Sequence, residues 1–250
     1  RRVLFRSVIM PYLFEDEIRT IVSKLNNTFI DYRIEKDIDK IGPDMMYQKM
    51  WNKTDRDVII LHADMLPLED DLENKWYEDI CSYADKYPEA GILGSKLLYP
   101  AMKDGKYLVQ HAGGKFENDI PTHFGCSVDL FTNHARGEPV LDEGQFDCVR
   151  EVAWSTFGGI YIRRSVLNDV GDFDSSYEWS YNRDVDYCLK ARSKGYKIYQ
   201  TPATLLHFES RDVKRIRTEE LVMKEMRNLE KLQANWKNTE FYKTLDRIVE

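Results

Sequence analysis

Asp64 closes the apolar run Val58-Ile59-Ile60-Leu61-His62-Ala63-Asp64. A carboxylate is costly to bury there without a partner, so it faces a cation or ligand, or else it caps a turn or helix. His62, two residues earlier, points to the same side of an extended strand. It is either a satisfied structural imidazole or a metal ligand. His207 precedes Phe208-Glu209-Ser210 at the end of another short apolar run. A neutral imidazole there could complete a cation site with Asp64. Asp184 and Asp186 bracket Val185 at the start of a helical pattern. Side chains two apart on a helix diverge, so at most one of them faces a cavity. A helix N-terminus favours the carboxylate form of Asp184, which could accept a proton; the competing reading is a helix cap. Gly158-Gly159 allows close backbone approach to a ligand, or equally marks a bulge. The acidic run at residues 69–73 reads as a solvated helix start.

Several elements must position these groups. Residues 3–10 read as a buried strand ended by Pro11, and residues 15–25 as a helix with Ile18, Ile21, Val22 and Leu25 on one stripe. A strand over 29–34, a helix over 43–51 with Pro43 in its first turn, and a β-branched strand over 57–61 follow. Alternating strands and helices predict a parallel sheet with helices on its faces, which binds ligands at the carboxyl ends of its strands. His62-Ala63-Asp64 lies at such an end.

The middle of the chain differs. Residues 90–98 and 106–111 read as strands joined by a turn at Lys103-Asp104-Gly105. Residues 117–145 have little periodicity and predict a long functional loop, while 152–163 return to strand character. Residues 184–194 predict a helix with Val185, Cys188 and Leu189 inward, stopped by Gly195. Two short strands, 196–199 and 204–208, precede an amphipathic helix over 218–236 carrying Leu221, Met226, Leu229 and Leu232. That helix packs across the domain, or docks a neighbouring domain or a second copy of the chain.

Composition narrows the function classes. The chain has 250 residues, 42% hydrophobic and 32% charged, which predicts a sizeable core and one domain, with residues 1–212 leading into a helical extension over 213–250. A net charge of −7 argues against a nucleic-acid partner. No apolar stretch approaches the roughly 18–20 residues of an integral membrane segment. Four cysteines at irregular spacings suit reduced thiols, so the expected location is cytoplasmic.

The order of segments resembles the family-2 glycosyltransferases, which use the GT-A fold. Ser7-Val8-Ile9-Met10-Pro11-Tyr12 is similar to their first strand and nucleotide-binding turn, and the run ending in Asp64 to the strand that ends in their DxD motif. The segment from Ala90 to Pro100, with Gln110-His111-Ala112-Gly113-Gly114, resembles the central hairpin. Most specific is the run from Gly158-Gly159-Ile160-Tyr161 through Val170-Gly171-Asp172-Phe173-Asp174 to Asp184-Val185-Asp186-Tyr187-Cys188-Leu189-Lys190 and Gly195-Tyr196-Lys197-Ile198. Three features depart from the pattern. His62 replaces the first DxD aspartate, Arg183 replaces the glutamate before the base, and residues 31–44 lack the acidic–glycine–serine run.

The resemblance implies an α/β GT-A fold with a mostly parallel central sheet flanked by helices and a C-terminal helical extension. It implies an inverting, metal-dependent hexosyltransferase that moves sugar from a UDP- or dTDP-sugar to the hydroxyl of a glycan or other acceptor, as in polysaccharide synthesis. Asp64 and His207 would hold Mn²⁺ or Mg²⁺, and Asp184 would be the general base. Pro11, Tyr12, His62, Ala63, Gly158 and Gly159 would contact the nucleotide sugar. The alternative is a non-catalytic module binding a nucleotide sugar or glycan. A nucleotidyltransferase would need a Gly-rich triphosphate loop, which the sequence lacks, and a glycoside hydrolase would leave the cation site without a purpose.

Overall fold

Residues 58–61 are uniformly apolar because the sheet that contains them is covered on both faces. The computed structural model describes residues 6–15, 18–19, 22, 30–68, 75–124, 139–178, 181–208 and 219–247. The first part of the chain forms β1 (Arg6–Tyr12), β2 (Asp31–Lys36), α1 (Pro43–Trp51), β3 (Asp57–Ile60), β4 (Met65–Leu66) and α2 (Lys75–Lys86). The middle forms β5 (Ala90–Lys103), β6 (Lys106–His111), β7 (Gly114–Glu117), β8 (Ile120–His123), β9 (Arg150–Glu151) and β10 (Ile160–Ile162). Helices α3 (Arg164–Val170) and α4 (Arg183–Ser193), strand β11 (Lys197–His207), helix α5 (Glu219–Trp236) and a 3-10 turn (Tyr242–Arg247) complete it.

The nine-stranded sheet runs β2-β1-β3-β10-β5-β11-β4, with β6 on β5 and β9 on β11. Strands β1, β2, β3, β5 and β11 share one direction, and β10 is inserted antiparallel between β3 and β5. The expected α/β class, a mostly parallel sheet flanked by helices, is therefore what forms. Strand alternation divides the core between the two faces. Ile9, Val58 and Ile60 pack with Tyr47, Met50 and Trp51 of α1 and Val185 of α4. Val8, Met10, Ile59 and Leu61 pack with Trp76, Ile80 and Ala84 of α2. Among the described residues no helix is long and apolar enough to cross a membrane.

Several elements match expectation and several do not. Helix α1 starts at Pro43, and Gly195, with φ 91°, follows α4. The β5–β6 turn places Asp104 and Gly105 at φ 53° and 75°, the left-handed pair that a two-residue hairpin requires. Pro11 does not end β1. Ile9 O accepts from Leu61 N on the β3 side, so residue 11 faces that side too, just past the end of β3, where its missing N–H removes no ladder bond. The expected loop at 117–145 opens instead with the β7–β8 hairpin, turned by Asn118 and Asp119 at φ 51° and 62°; residues 125–138 lie outside the described set. Within 152–163 only β10 is a strand of the sheet. The apolar residues Val152, Ala153, Trp154 and Phe157 are all buried without a period of two. The two short strands expected at 196–199 and 204–208 are one strand, β11, with a register irregularity between Gln200 and Thr204.

Helix α5 packs across the domain. Its Asn228 bonds the carbonyls of Glu178 and Tyr181, and Trp236 Nε1 donates to Asp186 at 2.7 Å. The inward stripe is Asn228, Leu232 and Trp236, whereas Met226 is exposed, because a polar residue that caps backbone carbonyls occupies the contact. Among the described cysteines all are free; Cys81 and Cys188 are buried and Cys148 is exposed. The acidic run at 69–73 lies outside the described residues.

Candidate functional site

Strand β3 stops at Ile60, and the chain turns so that Met65 N donates to His62 O at 3.2 Å. β4 then pairs antiparallel with the end of β11, matching Met65 with His207 and Leu66 with Leu206, and Phe208 N donates to Asp64 O at 2.9 Å. This pairing brings Asp64 Oδ1 to 3.2 Å from His207 Nε2. The His62 ring meets His207 edge-on, with centroids 5.5 Å apart, and lies parallel to Tyr47 of α1 at 5.7 Å and 5°. One donor atom each from His62, Asp64 and His207 falls within 4.8 Å of the others. Two metal–ligand bonds of about 2.1 Å span roughly 3 Å at a right angle and about 4.2 Å across a diameter, so small side-chain rotations suffice to close this set on one ion.

The protonation states suit that use. His207 Nδ1 lies 2.6 Å from Gln110 Oε1, a carbonyl oxygen that can only accept, so Nδ1 carries the hydrogen. In a neutral ring the lone pair that a metal needs is then on Nε2. Burial, then the neighbouring His207, pulls the pKa of His62 down to about 4 against the opposing pull of Asp64. Burial alone would raise the pKa of Asp64, but the adjacent His207 overcomes this and holds the group far below the usual carboxylate range. Near pH 7 the site therefore holds an ionised carboxylate and a neutral His62, the forms that ligate metals. Two imidazoles and one carboxylate suit a first-row divalent ion.

The surrounding residues define a floor and a rim. A Cβ at Gly158 would lie 3.2 and 3.3 Å from His62 ring atoms and would overlap the Met65 terminal methyl. Gly159 has φ 66°, and a Cβ there would meet Leu205 at 2.8 Å. Gly158 thus lets the backbone lie close against His62 and Met65, and Gly159 packs against the core. The half-buried Tyr12, next to Pro11, is the last residue of β1, and its carbonyl oxygen accepts from Asp37 N at 2.8 Å. Asp37 in turn accepts from Ile41 N and Gly42 N at 3.0 and 2.9 Å, closing the loop that enters α1. Ala63 is half-buried against the α2-side core.

Asp184 sits in the first turn of α4, half-buried, with Oδ1 accepting from Val185 N at 2.9 Å. It does not occupy the cap position, which belongs to Asn182 at φ 63°. Asp186 is the inward carboxylate of the pair, taken up by Trp236, Tyr177 and Lys190. Arg183 donates to Tyr177 O and approaches Asp44 at 3.7 Å, with both side chains buried. Asp44 and Tyr47 are one turn apart on α1, so the same helix end holds the residue before Asp184 and the ring of His62.

The whole chain superposes on a solved structure of GalNAc-T7 with UDP, GalNAc and Mn²⁺, with a TM-score of 0.63 at 11% identity, covering 98% of this chain and 50% of that one. The fold is GT-A. S. aureus TarS 1-349 gives a weaker likeness, TM-score 0.47 at 12% identity over 98% of this chain and 75% of that one. In sequence, the uncharacterized protein y4gI of Sinorhizobium fredii (strain NBRC 101917 / NGR234) is 27% identical over 179 residues, 66% of this chain and 17% of that protein. The chain thus spans about a sixth of that relative's length and half of the GalNAc-T7 chain. No family model matches.

Within the GT-A sheet, two site residues escape a reading by motif. Gln110 is a lone amide in the strand run Lys106–His111 and is wholly buried, and Tyr47 sits on an apolar helix face. A buried amide among apolar strand residues is the signal that points to Gln110, since such a group needs a polar partner.

Proposed function

We propose that the protein is an inverting, family-2-like hexosyltransferase, moving sugar from a nucleotide diphosphate sugar to an acceptor hydroxyl in glycan or polysaccharide synthesis. The observation that carries this reading is the cluster of Asp64 and His207 with His62 at the carboxyl edge of β3 in a GT-A sheet. Asp64 and His207 would hold a divalent cation, Mn²⁺ or Mg²⁺, which when bound offsets the negative charge that develops on a leaving diphosphate. A UDP donor is favoured over dTDP, since the GalNAc-T7 likeness carries UDP and Mn²⁺.

Each residue then has a task. Pro11, Tyr12 and Ala63 lie along the nucleotide, and the Gly158-Gly159 segment approaches the sugar. Asp184 accepts the acceptor hydroxyl's proton as that oxygen attacks the anomeric carbon; its Oδ1 also accepts from Val185 N, which fixes the carboxylate at the start of α4. One base and no protein nucleophile give a single displacement and inversion at that carbon. On this reading residues 1–212 are the transferring unit and 213–250 an extension that braces α4 through Trp236 and Asp186.

A screen of UDP- and dTDP-sugars by thermal shift, with and without Mn²⁺, tests the reading. A ligand bound only by the folded state raises the melting temperature as its concentration passes its Kd. A metal-dependent rise with a UDP-sugar is expected, and no rise with any donor would overturn it.

A further inference from the structure

His62 carries the chain's sharpest departure from a carboxylate-rich cation site, and its surroundings are built to aim a ring rather than to leave a gap. One face stacks parallel on Tyr47, its edge meets His207, and the Gly158 backbone lies close against its Cε1 and Nδ1 atoms. The turn bond from Met65 N to His62 O fixes the backbone that carries it. A ring so enclosed has little freedom to follow a nucleotide, yet it presents a nitrogen to the same small volume as Asp64 and His207.

We infer that His62, rather than contacting the nucleotide, is a third protein ligand of the cation, so that two imidazoles and one carboxylate select a first-row transition ion over Mg²⁺ and Ca²⁺. This rests on the cation of the proposed transfer reaction and names the ion class it takes. The physical basis is donor chemistry. Mg²⁺ and Ca²⁺ are hard ions that favour oxygen ligands, and Mg²⁺ gives up its waters reluctantly. Imidazole nitrogen binds Mn²⁺, Co²⁺ and Zn²⁺ far better, in the rising order of first-row affinities. Replacing a carboxylate by a neutral imidazole also lowers the ligand charge from −2 to −1, which weakens the site most for ions held mainly by charge. Gln110 supports the same outcome, because it keeps the Nδ1 hydrogen of His207 turned away from the ion position.

The test titrates metal alone into the full chain, without nucleotide. Mn²⁺ binding is read from loss of the free-ion paramagnetic resonance signal, and Mg²⁺ and Ca²⁺ by competition against Mn²⁺. The wild type is expected to prefer Mn²⁺ over Mg²⁺ by at least tenfold, and the visible spectrum of bound Co²⁺ is expected to change in His62→Ala. His62→Ala should lose tenfold to hundredfold in Mn²⁺ affinity, and His62→Asp should narrow the Mn²⁺/Mg²⁺ ratio while keeping a binding site. Circular dichroism and unfolding midpoints confirm that each variant is folded. Unchanged Mn²⁺ affinity and an unchanged Co²⁺ spectrum in His62→Ala, beside weakened binding in Asp64→Ala, would overturn the inference while leaving the transfer reading intact. Selective Mn²⁺ binding through His62 without sugar transfer from any donor would sustain the inference and remove the transfer reading.

Discussion

Replacing Gln110 with Met, which has a similar shape and no acceptor, isolates what a single buried bond does for the cation site. In the wild type the 2.6 Å contact gives the Nδ1 hydrogen of His207 an acceptor, so a neutral ring keeps its lone pair on Nε2, the nitrogen 3.2 Å from Asp64 that an ion would take. Without Oε1 the favoured tautomer reverses. Nδ1 becomes a bare acceptor, and Nε2–H donates to the Asp64 carboxylate. An incoming ion must then break a hydrogen bond to a charged group, worth about 1.5–3 kcal/mol. At about 1.4 kcal/mol per tenfold, Mn²⁺ affinity should fall roughly 10- to 100-fold. Fold stability should change less, because the reversed tautomer satisfies the ring's one donor again. Gln110→Glu restores an acceptor and should recover Mn²⁺ binding to within a few-fold. Isothermal titration with Mn²⁺ and urea unfolding of the same samples measure both quantities. Wild-type Mn²⁺ affinity in Gln110→Met, or equal losses in Gln110→Met and Gln110→Glu, would refute the tautomer argument.

Three further outcomes follow from the same geometry. Asp184→Asn should lose about 10²–10⁴-fold in transfer rate while binding the donor normally, measured by product formation beside donor titration; full activity would remove Asp184 as the base. Gly158→Ala should cost about 1–3 kcal/mol in urea unfolding, because a methyl there overlaps Met65 and crowds His62, and a neutral result would show that the backbone can yield. The metal-free protein should lose stability as pH falls from about 6.5 toward 4: burial, then His207, lowers the pKa of His62 in the fold, so across that window the unfolded chain binds more protons. The loss is on the order of 3 kcal/mol, read from unfolding midpoints at pH 7 and pH 4, and a rise in stability on acidification would contradict the assigned burial of His62.

What the sequence made legible is what short-range pattern encodes. The unbroken apolar runs at Val8–Met10 and Val58–Leu61 announce strands covered on both faces, and each run does divide its side chains between two cores. Pro43 and the Asp104-Gly105 pair mark a helix start and a tight turn by backbone restriction alone. The failures are equally physical. β11 reads as two strands because Pro202 and the register irregularity interrupt a run that tertiary pairing with β5 nevertheless holds together. Residues 152–157 are apolar because they are buried, not because they belong to a ladder. Asp64 and His207 stand out as polar residues closing apolar runs. Gln110 lies 97 residues from its partner, and no local pattern reports a bond that only the β6–β5–β11 order creates.

His62 and Arg183, the two residues at which the chain departs from the pattern that it resembles, meet through one turn of α1. A cation at residue 183 would be expensive to bury beside the first turn of α4 without an anion, and Asp44 supplies one at 3.7 Å. An imidazole at residue 62 needs its ring plane fixed before its nitrogen can serve, and Tyr47, three residues further along the same helix, stacks on it. The residues that accommodate the departures therefore sit one above the other on a helix whose start is set by Pro43 and by the Asp37 loop closure. One turn of α1 thus carries the group that faces each departure, the Asp44 carboxylate 3.7 Å from the Arg183 guanidinium and the Tyr47 ring stacked on His62.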